Sequence, residues 1–155
     1  KVKCDLDFIG VNVYQPFIDG SWGSKTPQDI PEERKTSMGW IIDGRVLYYT
    51  IKFFYERYGL PIMVTENGMA DNGAIADKKR IGFIHEYLSG VKRAVNENIP
   101  VIGYQHWSLM DNFEWAEGYG PRFGLIHVDY ITGKRTVKDS AWEYKKIIES
   151  NGSTI

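Results

Sequence analysis

The chain has 155 residues, of which 25% are charged and 43% hydrophobic, and both values are ordinary for a folded domain. Its net charge of −1 gives no electrostatic reason to expect nucleic acid or an anionic membrane as a partner. No apolar run reaches the roughly 18 residues of a membrane span, and the single cysteine, Cys4, excludes an internal disulfide, so we expect a cytoplasmic location.

The first half of the chain predicts a strand, a helix and a second strand. Residues 8–14 form an apolar run between Asp7 and Pro16, which predicts the first strand. A helix is indicated next, because apolar side chains recur at helical spacing until Gly59 and Pro61: Leu47, Ile51, Phe54, Tyr55 and Tyr58. The β-branched run at residues 62–65 predicts the second strand.

The second half repeats the alternation. After a loop rich in Asp, Asn and Gly, one apolar face predicts a helix that ends near residues 96–98: Ile81, Ile84, Leu88, Val91 and Val95. Residues 101–107 predict a third strand, and residues 125–130 and 134–137 a hairpin. A final short helix is lined by Ala141, Tyr144, Ile147 and Ile148. Repeated βα units predict an α/β fold with a parallel sheet.

Glu66 is the candidate nucleophile. It directly follows the second predicted strand in the sequence Thr65-Glu66-Asn67-Gly68, where Gly68 lets the chain turn away sharply. Tyr14 and Trp107 also come at the ends of predicted strands, and in α/β barrels the chemistry collects at the carboxyl ends of the strands. The alternative is a structural glutamate that caps a neighbouring element.

An aromatic block follows the third predicted strand. Residues 107–115 include Trp107, Glu114 and Trp115, and Phe123 comes soon after. Flat apolar rings suit the C–H faces of a pyranose, and a carboxylate accepts hydrogen bonds from hydroxyl groups. The block therefore predicts a sugar-binding pocket, and the alternative is that Trp107 and Phe123 are core aromatics.

Four motifs together resemble the C-terminal portion of a family 1 glycoside hydrolase of the β-glucosidase type. They lie at residues 7–14, 36–40, 65–68 and 104–115, in the order that the family has them. The resemblance implies the C-terminal part of a (β/α)₈ TIM barrel, strands six to eight with their helices. Because such a barrel typically needs about 250 residues, we expect residues 1–155 to be a fragment of a single catalytic domain whose N-terminal strands are absent.

The resemblance also implies a retaining β-glycosidase mechanism. Glu66 would be the nucleophile and Tyr14 would hydrogen-bond to it, while a second carboxylic acid about 5 Å away protonates the leaving oxygen. The family carries that acid in an Asn-Glu-Pro motif, and no such motif occurs here. We therefore expect the chain to hold the nucleophile half of the site and to be inactive alone.

Six further residues match substrate-binding positions of the family. Asn12 would reach the 2-hydroxyl region, and Trp40 would lie on the aglycone side, although it could also be a surface-loop aromatic. Trp107 would form the platform under the glycone, Glu114 and Trp115 would face O4 and O6, and Phe123 would wall the C6 end. Because a carboxylate repels a phosphate, Glu114 predicts an unphosphorylated β-glucoside or oligosaccharide as substrate.

Other signals are weaker. His85, His106 and His127 form no spaced ligand set, so we expect no metal and no cofactor. Asp111, in an Asp-Asn pair after a strand, is best interpreted as a hydrogen-bond centre that fixes a loop.

Two functional hypotheses from different classes remain, the nucleophile half of a β-glucosidase and a non-catalytic half-barrel that assembles or binds sugar. A 6-phospho-β-glucosidase is a third, disfavoured by Glu114. In each case we expect the missing N-terminal half of the barrel, or self-association, to cover the open sheet.

Overall fold

A computed structural model of the protein describes residues 5–17, 27–73 and 75–155, so Cys4 lies outside the described residues. The strands and helices are, in chain order, β1 (Ile9–Asn12), α1 (Arg45–Tyr58), β2 (Ile62–Asn67), α2 (Lys78–Asn96), β3 (Val101–His106), β4 (Ile126–Val128), β5 (Arg135–Val137) and α3 (Asp139–Glu149). Short 3₁₀ turns lie at Pro27–Asp29, Glu32–Arg34 and Trp115–Glu117. All predicted strands and helices are present.

The first three strands form a parallel sheet in the order β1-β2-β3, as the alternation of strand and helix predicted. β1 ends at Asn12, two residues before the predicted end, because the pairing register with β2 shifts after Val11. The chain still runs beside β2, since the backbone N–H of Val13 donates to the Glu66 carbonyl at 2.9 Å. The shift brings Asn12 opposite Glu66 at the carboxyl end of the sheet.

The helices cover one face of this sheet. Ile62 and Val64 of β2 are fully buried in the same core as Leu47 of α1 and Ile84 of α2. α1 ends where the sequence predicted, because Gly59 adopts a left-handed conformation and donates its N–H to the Tyr55 carbonyl.

Three residues of the apolar patterns that predicted the helices are exposed: Tyr58 of α1 at 53%, Val95 of α2 at 49% and Ile148 of α3 at 61%. Val95 and Ile148 line a groove between their two helices. A regular helical spacing shows which way a side chain faces but does not show how far the neighbouring helix reaches.

The other face of the sheet and its two edges are open among the described residues. β1 and β3 each pair with a neighbouring strand on one side only. Ile102 of β3 is 57% exposed, and Asn12 of β1 is also exposed. β4 and β5 form a separate antiparallel hairpin, as predicted, with Ile126 opposite Val137. Within the described residues, no helix is long and apolar enough to cross a membrane.

Candidate active site

Glu66 and Tyr14 meet at the carboxyl end of the sheet. Glu66 is the second-last residue of β2, and Tyr14 lies two residues beyond β1. The Tyr14 hydroxyl donates a hydrogen bond to Glu66 Oε2 at 2.6 Å, while Oε1 forms no hydrogen bond with the described residues. Burial, then the hydrogen bond to the Glu66 carboxylate and the nearby charge of Glu114, raise the pKa of Tyr14 far above its ordinary value. The phenol therefore stays a donor.

Asn12 is held beside this pair by β2. Its side-chain oxygen accepts a hydrogen bond from Thr65 Oγ1 at 2.6 Å, and the same hydroxyl lies 3.1 Å from the Val11 carbonyl. The Asn12 amide N–H₂ has no partner among the described residues. An exposed donor thus lies next to Glu66 and is free to bind a ligand oxygen.

Asn67, which the sequence analysis did not single out, ties the ends of the three strands together. Its side chain is fully buried, donates to the Val13 carbonyl at 2.6 Å and accepts from the Tyr104 hydroxyl at 2.7 Å. Because Asn67 directly follows Glu66, this bridge fixes where the carboxylate leaves the sheet. Its place in the motif was the only sequence signal for this role.

Gly68 is needed where two segments approach each other closely. Its φ angle lies outside the left-handed region, so its backbone conformation alone does not require glycine. A Cβ atom at this position would lie 1.7 Å from the Trp107 carbonyl oxygen, which excludes any side chain. Glycine therefore permits the close approach of the segments that follow β2 and β3.

Trp40 and Phe123 pack around Tyr14. The ring of Tyr14 lies edge-on to Trp40 at 5.4 Å and to Phe123 at 6.2 Å between centroids. Trp40 and Phe123 are themselves 5.9 Å apart. Phe123 is only 2% exposed, so it supports the other two rings from below and offers little surface to a ligand.

The remaining predicted residues lie in the loop that follows β3. Trp107 is half-buried, and its backbone N–H donates to the Asn67 carbonyl at 2.8 Å. Glu114 is half-buried, whereas Trp115 is 80% exposed at the start of its 3₁₀ turn. None of the three forms a hydrogen bond or an ion pair with Glu66, although the charge of Glu114 acts on Tyr14.

Asp111 fixes this loop, which confirms its interpretation as a hydrogen-bond centre. It is buried, and it accepts hydrogen bonds from Arg122 and Lys138 at 3.0 Å each and from the Gly124 N–H at 2.9 Å. Burial alone would raise the pKa of Asp111, but the hydrogen bonds from the two cations outweigh it and hold the pKa below its ordinary value. Asp111 is therefore an anion and not a proton donor.

Arg80 of α2 is a second residue that the sequence analysis missed. Its guanidinium is fully buried and donates to Asp77 at 2.7 Å. It also donates to four backbone carbonyls, those of Met69, Asp71, Arg122 and Phe123. All five N–H groups of the guanidinium are thus used. Arg80 links the segment after Glu66 to the segment that carries Phe123, and no local pattern marks it.

The histidines do not form a cluster. The ring nitrogens of His106 in β3 are buried and have no hydrogen-bond partner among the described residues, and burial, with the charge of Arg80, lowers the pKa of His106 to about 3. His85 instead contacts Glu143 at 2.9 Å. Across the described ranges, no group of three or more His, Cys, Asp or Glu side chains is placed to hold a metal ion.

Known proteins resemble this chain in sequence and in fold. The sequence model described as glycosyl hydrolase family 1 matches residues 1–153. The 1,4-beta-D-glucan glucohydrolase of Thermotoga neapolitana is 38% identical, with 99% of this chain and 37% of the relative covered. Beta-glucosidase A of Thermotoga maritima is 39% identical, with 98% and 36% covered.

A solved structure gives the same result. The beta-glucosidase from Thermotoga maritima in complex with galacto-hydroximolactam superposes with a TM-score of 0.87 at 38% identity, with 96% of this chain and 36% of that chain covered. The chain thus spans a little over a third of the length of the relatives that it matches.

Proposed function

The chain belongs to glycosyl hydrolase family 1, and on that premise we propose that it carries the nucleophile half of a retaining β-glycosidase site. The observation that carries the proposal is the 2.6 Å hydrogen bond from Tyr14 to Glu66 Oε2 at the ends of neighbouring parallel strands. A hydrogen bond to the charged form keeps a carboxylate anionic in a partly dry pocket. It also leaves Oε1 free to attack.

We infer that β1, β2 and β3 are the sixth, seventh and eighth strands of a (β/α)₈ barrel. The strand order supports this, as does the match to a little over a third of each relative. The two unpaired edges and the open face around Ile102 favour assembly with the remaining strands. In that assembly an acid supplied by the other strands would face Glu66.

The proposed reaction has two steps. Glu66 Oε1 attacks the anomeric carbon as the bond to the leaving oxygen breaks, and that oxygen takes a proton from the acid of the other half. The product is a covalent glycosyl ester on Glu66. Water, deprotonated by the same acid in its base form, then cleaves the ester and releases the sugar with retained configuration.

The proposed substrate is an unphosphorylated β-D-glycoside. Asn12 offers its free N–H₂ beside Glu66, where a ring hydroxyl of the substrate would lie. Glu114 adds a second negative charge close enough to act on Tyr14. Two carboxylates around one pocket disfavour a phosphate group on the sugar.

The test is covalent capture of Glu66. A 2-deoxy-2-fluoro-β-glucoside with a dinitrophenolate leaving group should label Glu66, because a good leaving group does not need the acid. Peptide mass spectrometry locates the label. Glu66→Gln should abolish labelling, and the exposed Glu33→Gln serves as a matched control. Labelling that persists in Glu66→Gln would refute the nucleophile assignment.

A non-catalytic half-barrel that binds sugar is the second candidate, favoured by the open edges of β1 and β3. The two functions separate when the chain is combined with the complementary half of a family member. A non-catalytic piece would bind a β-glucoside without ever being labelled at Glu66. In the catalytic case, azide should restore turnover to Glu66→Gly and yield the inverted glycosyl azide.

A further inference from the structure

A buried tyrosine of α2 contacts the backbone of the candidate active site. Tyr87 is fully buried, and its ring stacks on Phe83 with 3.9 Å between the ring centroids. Its hydroxyl donates a hydrogen bond to the backbone carbonyl of Tyr14 at 3.0 Å and accepts one from the backbone N–H of Asp43 at 3.2 Å. Tyr87 therefore joins the helix layer to the residue that hydrogen-bonds to Glu66.

The Tyr14 carbonyl depends on this contact. Tyr14 lies beyond the last paired residue of β1, so no strand partner fixes its carbonyl. Among the described residues, the Tyr87 hydroxyl is the only hydrogen-bond donor to it. Burial raises the pKa of Tyr87 far above its ordinary value, so the hydroxyl keeps its proton and stays a donor.

The same hydroxyl also holds the segment against which the Tyr14 ring packs. Its second partner, the N–H of Asp43, lies three residues after Trp40 in the chain. Trp40 packs edge-on against the ring of Tyr14 with 5.4 Å between the centroids. One buried hydroxyl therefore fixes both the backbone of Tyr14 and the segment that supports its ring.

The position of Tyr14 matters because its phenol binds the reacting carboxylate. The hydrogen bond to Glu66 Oε2 is 2.6 Å long, and a displacement of about 1 Å at a reaction centre can cost about 100-fold in rate. Tyr87 is buried and does not reach a substrate. We propose that Tyr87 is a positioning residue, which holds the Tyr14 hydroxyl on Glu66 by anchoring the Tyr14 backbone. The inference rests on the proposed function, since it names a further residue of that site.

The experiment measures the rate of Glu66 labelling by the 2-fluoroglucoside, in the chain combined with its complementary barrel half. Tyr87→Phe removes the hydroxyl and keeps the ring that stacks on Phe83. The labelling rate constant at saturating sugar should fall by about 3- to 10-fold, the range expected for one lost hydrogen bond. The half-saturating sugar concentration should not change, because Tyr87 does not touch the sugar.

Tyr48→Phe is the matched control. Tyr48 of α1 is also buried, but its hydroxyl donates to Glu97 at the end of α2, at 2.8 Å. This variant removes a buried phenol hydroxyl that has no contact with the candidate site, so the labelling rate constant should stay unchanged. An equal fall in both variants would show only a general loosening of the core and would overturn the inference.

A double-mutant cycle tests whether Tyr87 acts through the Tyr14 hydroxyl. If it does, Tyr87→Phe should have no further effect on labelling once Tyr14→Phe has removed that hydroxyl. The same fold-change in both backgrounds would contradict the positioning role. So would an unchanged labelling rate constant in Tyr87→Phe alone.

A second measurement does not depend on the reaction. The hydroxyl proton of Tyr14 should give a downfield NMR signal because its hydrogen bond to a carboxylate is short, and Tyr14→Phe identifies this signal. It should move upfield or vanish in Tyr87→Phe and stay in place in Tyr48→Phe, whereas an unmoved signal in Tyr87→Phe would overturn the inference. Failure of the proposed function appears instead as absent labelling in the unmodified protein, and the NMR signal then decides whether Tyr87 positions Tyr14.

Discussion

Arg80→Met should weaken the link between the segment after Glu66 and the segment that carries Phe123. The methionine keeps most of the volume of the arginine stem but removes all five donors. The Asp77 carboxylate would lose its buried ion partner, and only the N–H and the hydroxyl of Ser140 would still donate hydrogen bonds to it. The Met69 carbonyl would lose the hydrogen bond from the Arg80 guanidinium. The Phe123 carbonyl would keep a donor, because it also accepts a hydrogen bond from the Ser108 N–H.

The magnitude follows from these two losses. Breaking a buried ion pair by removing one partner costs about 3–5 kcal/mol, and we take the lower end because Ser140 still binds Asp77. An unsatisfied buried carbonyl adds about 1–3 kcal/mol. Arg80→Met should therefore lower the free energy of unfolding by about 4 kcal/mol, a large share of the 5–15 kcal/mol typical of domains. Arg80→Lys keeps the charge but not the planar set of five donors, so its loss of unfolding free energy should be about half as large.

Urea unfolding at fixed protein concentration, followed by tryptophan fluorescence, measures the change. With an m-value of roughly 2 kcal/mol/M, the midpoint should fall by about 2 M. Arg135→Met is the matched control, because Arg135 is exposed with a single contact at 3.4 Å, and it should change stability by less than about 0.5 kcal/mol. A loss in Arg80→Met within about 1 kcal/mol of this control would refute the proposed link between the segments.

Four further outcomes are expected. Tyr14→Phe should lower kcat by about 10- to 100-fold on aryl glucosides, because Glu66 loses a hydrogen bond to its charge; an unchanged kcat would contradict this role. The kcat/KM for a glucoside should exceed that for its 6-phosphate by at least ~100-fold because of Glu114, and a preference for the phosphate would overturn the specificity. His106 in the folded protein has a pKa of about 3, below its ordinary value. Between about pH 6.5 and pH 3 the unfolded state therefore binds more protons, so the free energy of unfolding should fall by up to about 1.4 kcal/mol for each unit by which the pH is lowered. The same slope in His106→Leu would exclude this cause. The isolated chain should self-associate through its open edges and fail to hydrolyse cellobiose; a monodisperse monomer in sedimentation, or efficient turnover, would argue against it.

Local sequence patterns were enough to predict the strands, the helices and the position of Glu66 at the end of a strand. Apolar side chains at periods of two and 3.6 mark which faces are buried, and this information is local. The motifs around Glu66 and in residues 107–115 were also enough to predict the family, which the match over residues 1–153 confirms. The roles assigned to individual residues of the site stay predictions.

The way in which these local pieces meet depends on tertiary contacts. The pairing register brings Asn12 beside Glu66 across more than fifty residues of sequence, and it presses the Trp107 carbonyl against Gly68. Arg80 links two distant segments, and Phe123 is buried beside Tyr14 and Trp40. Such contacts depend on how far and in which direction side chains from separate elements reach, and no local period encodes this. The burial of one residue depends on neighbours that are distant in the sequence and meet it only when the chain folds.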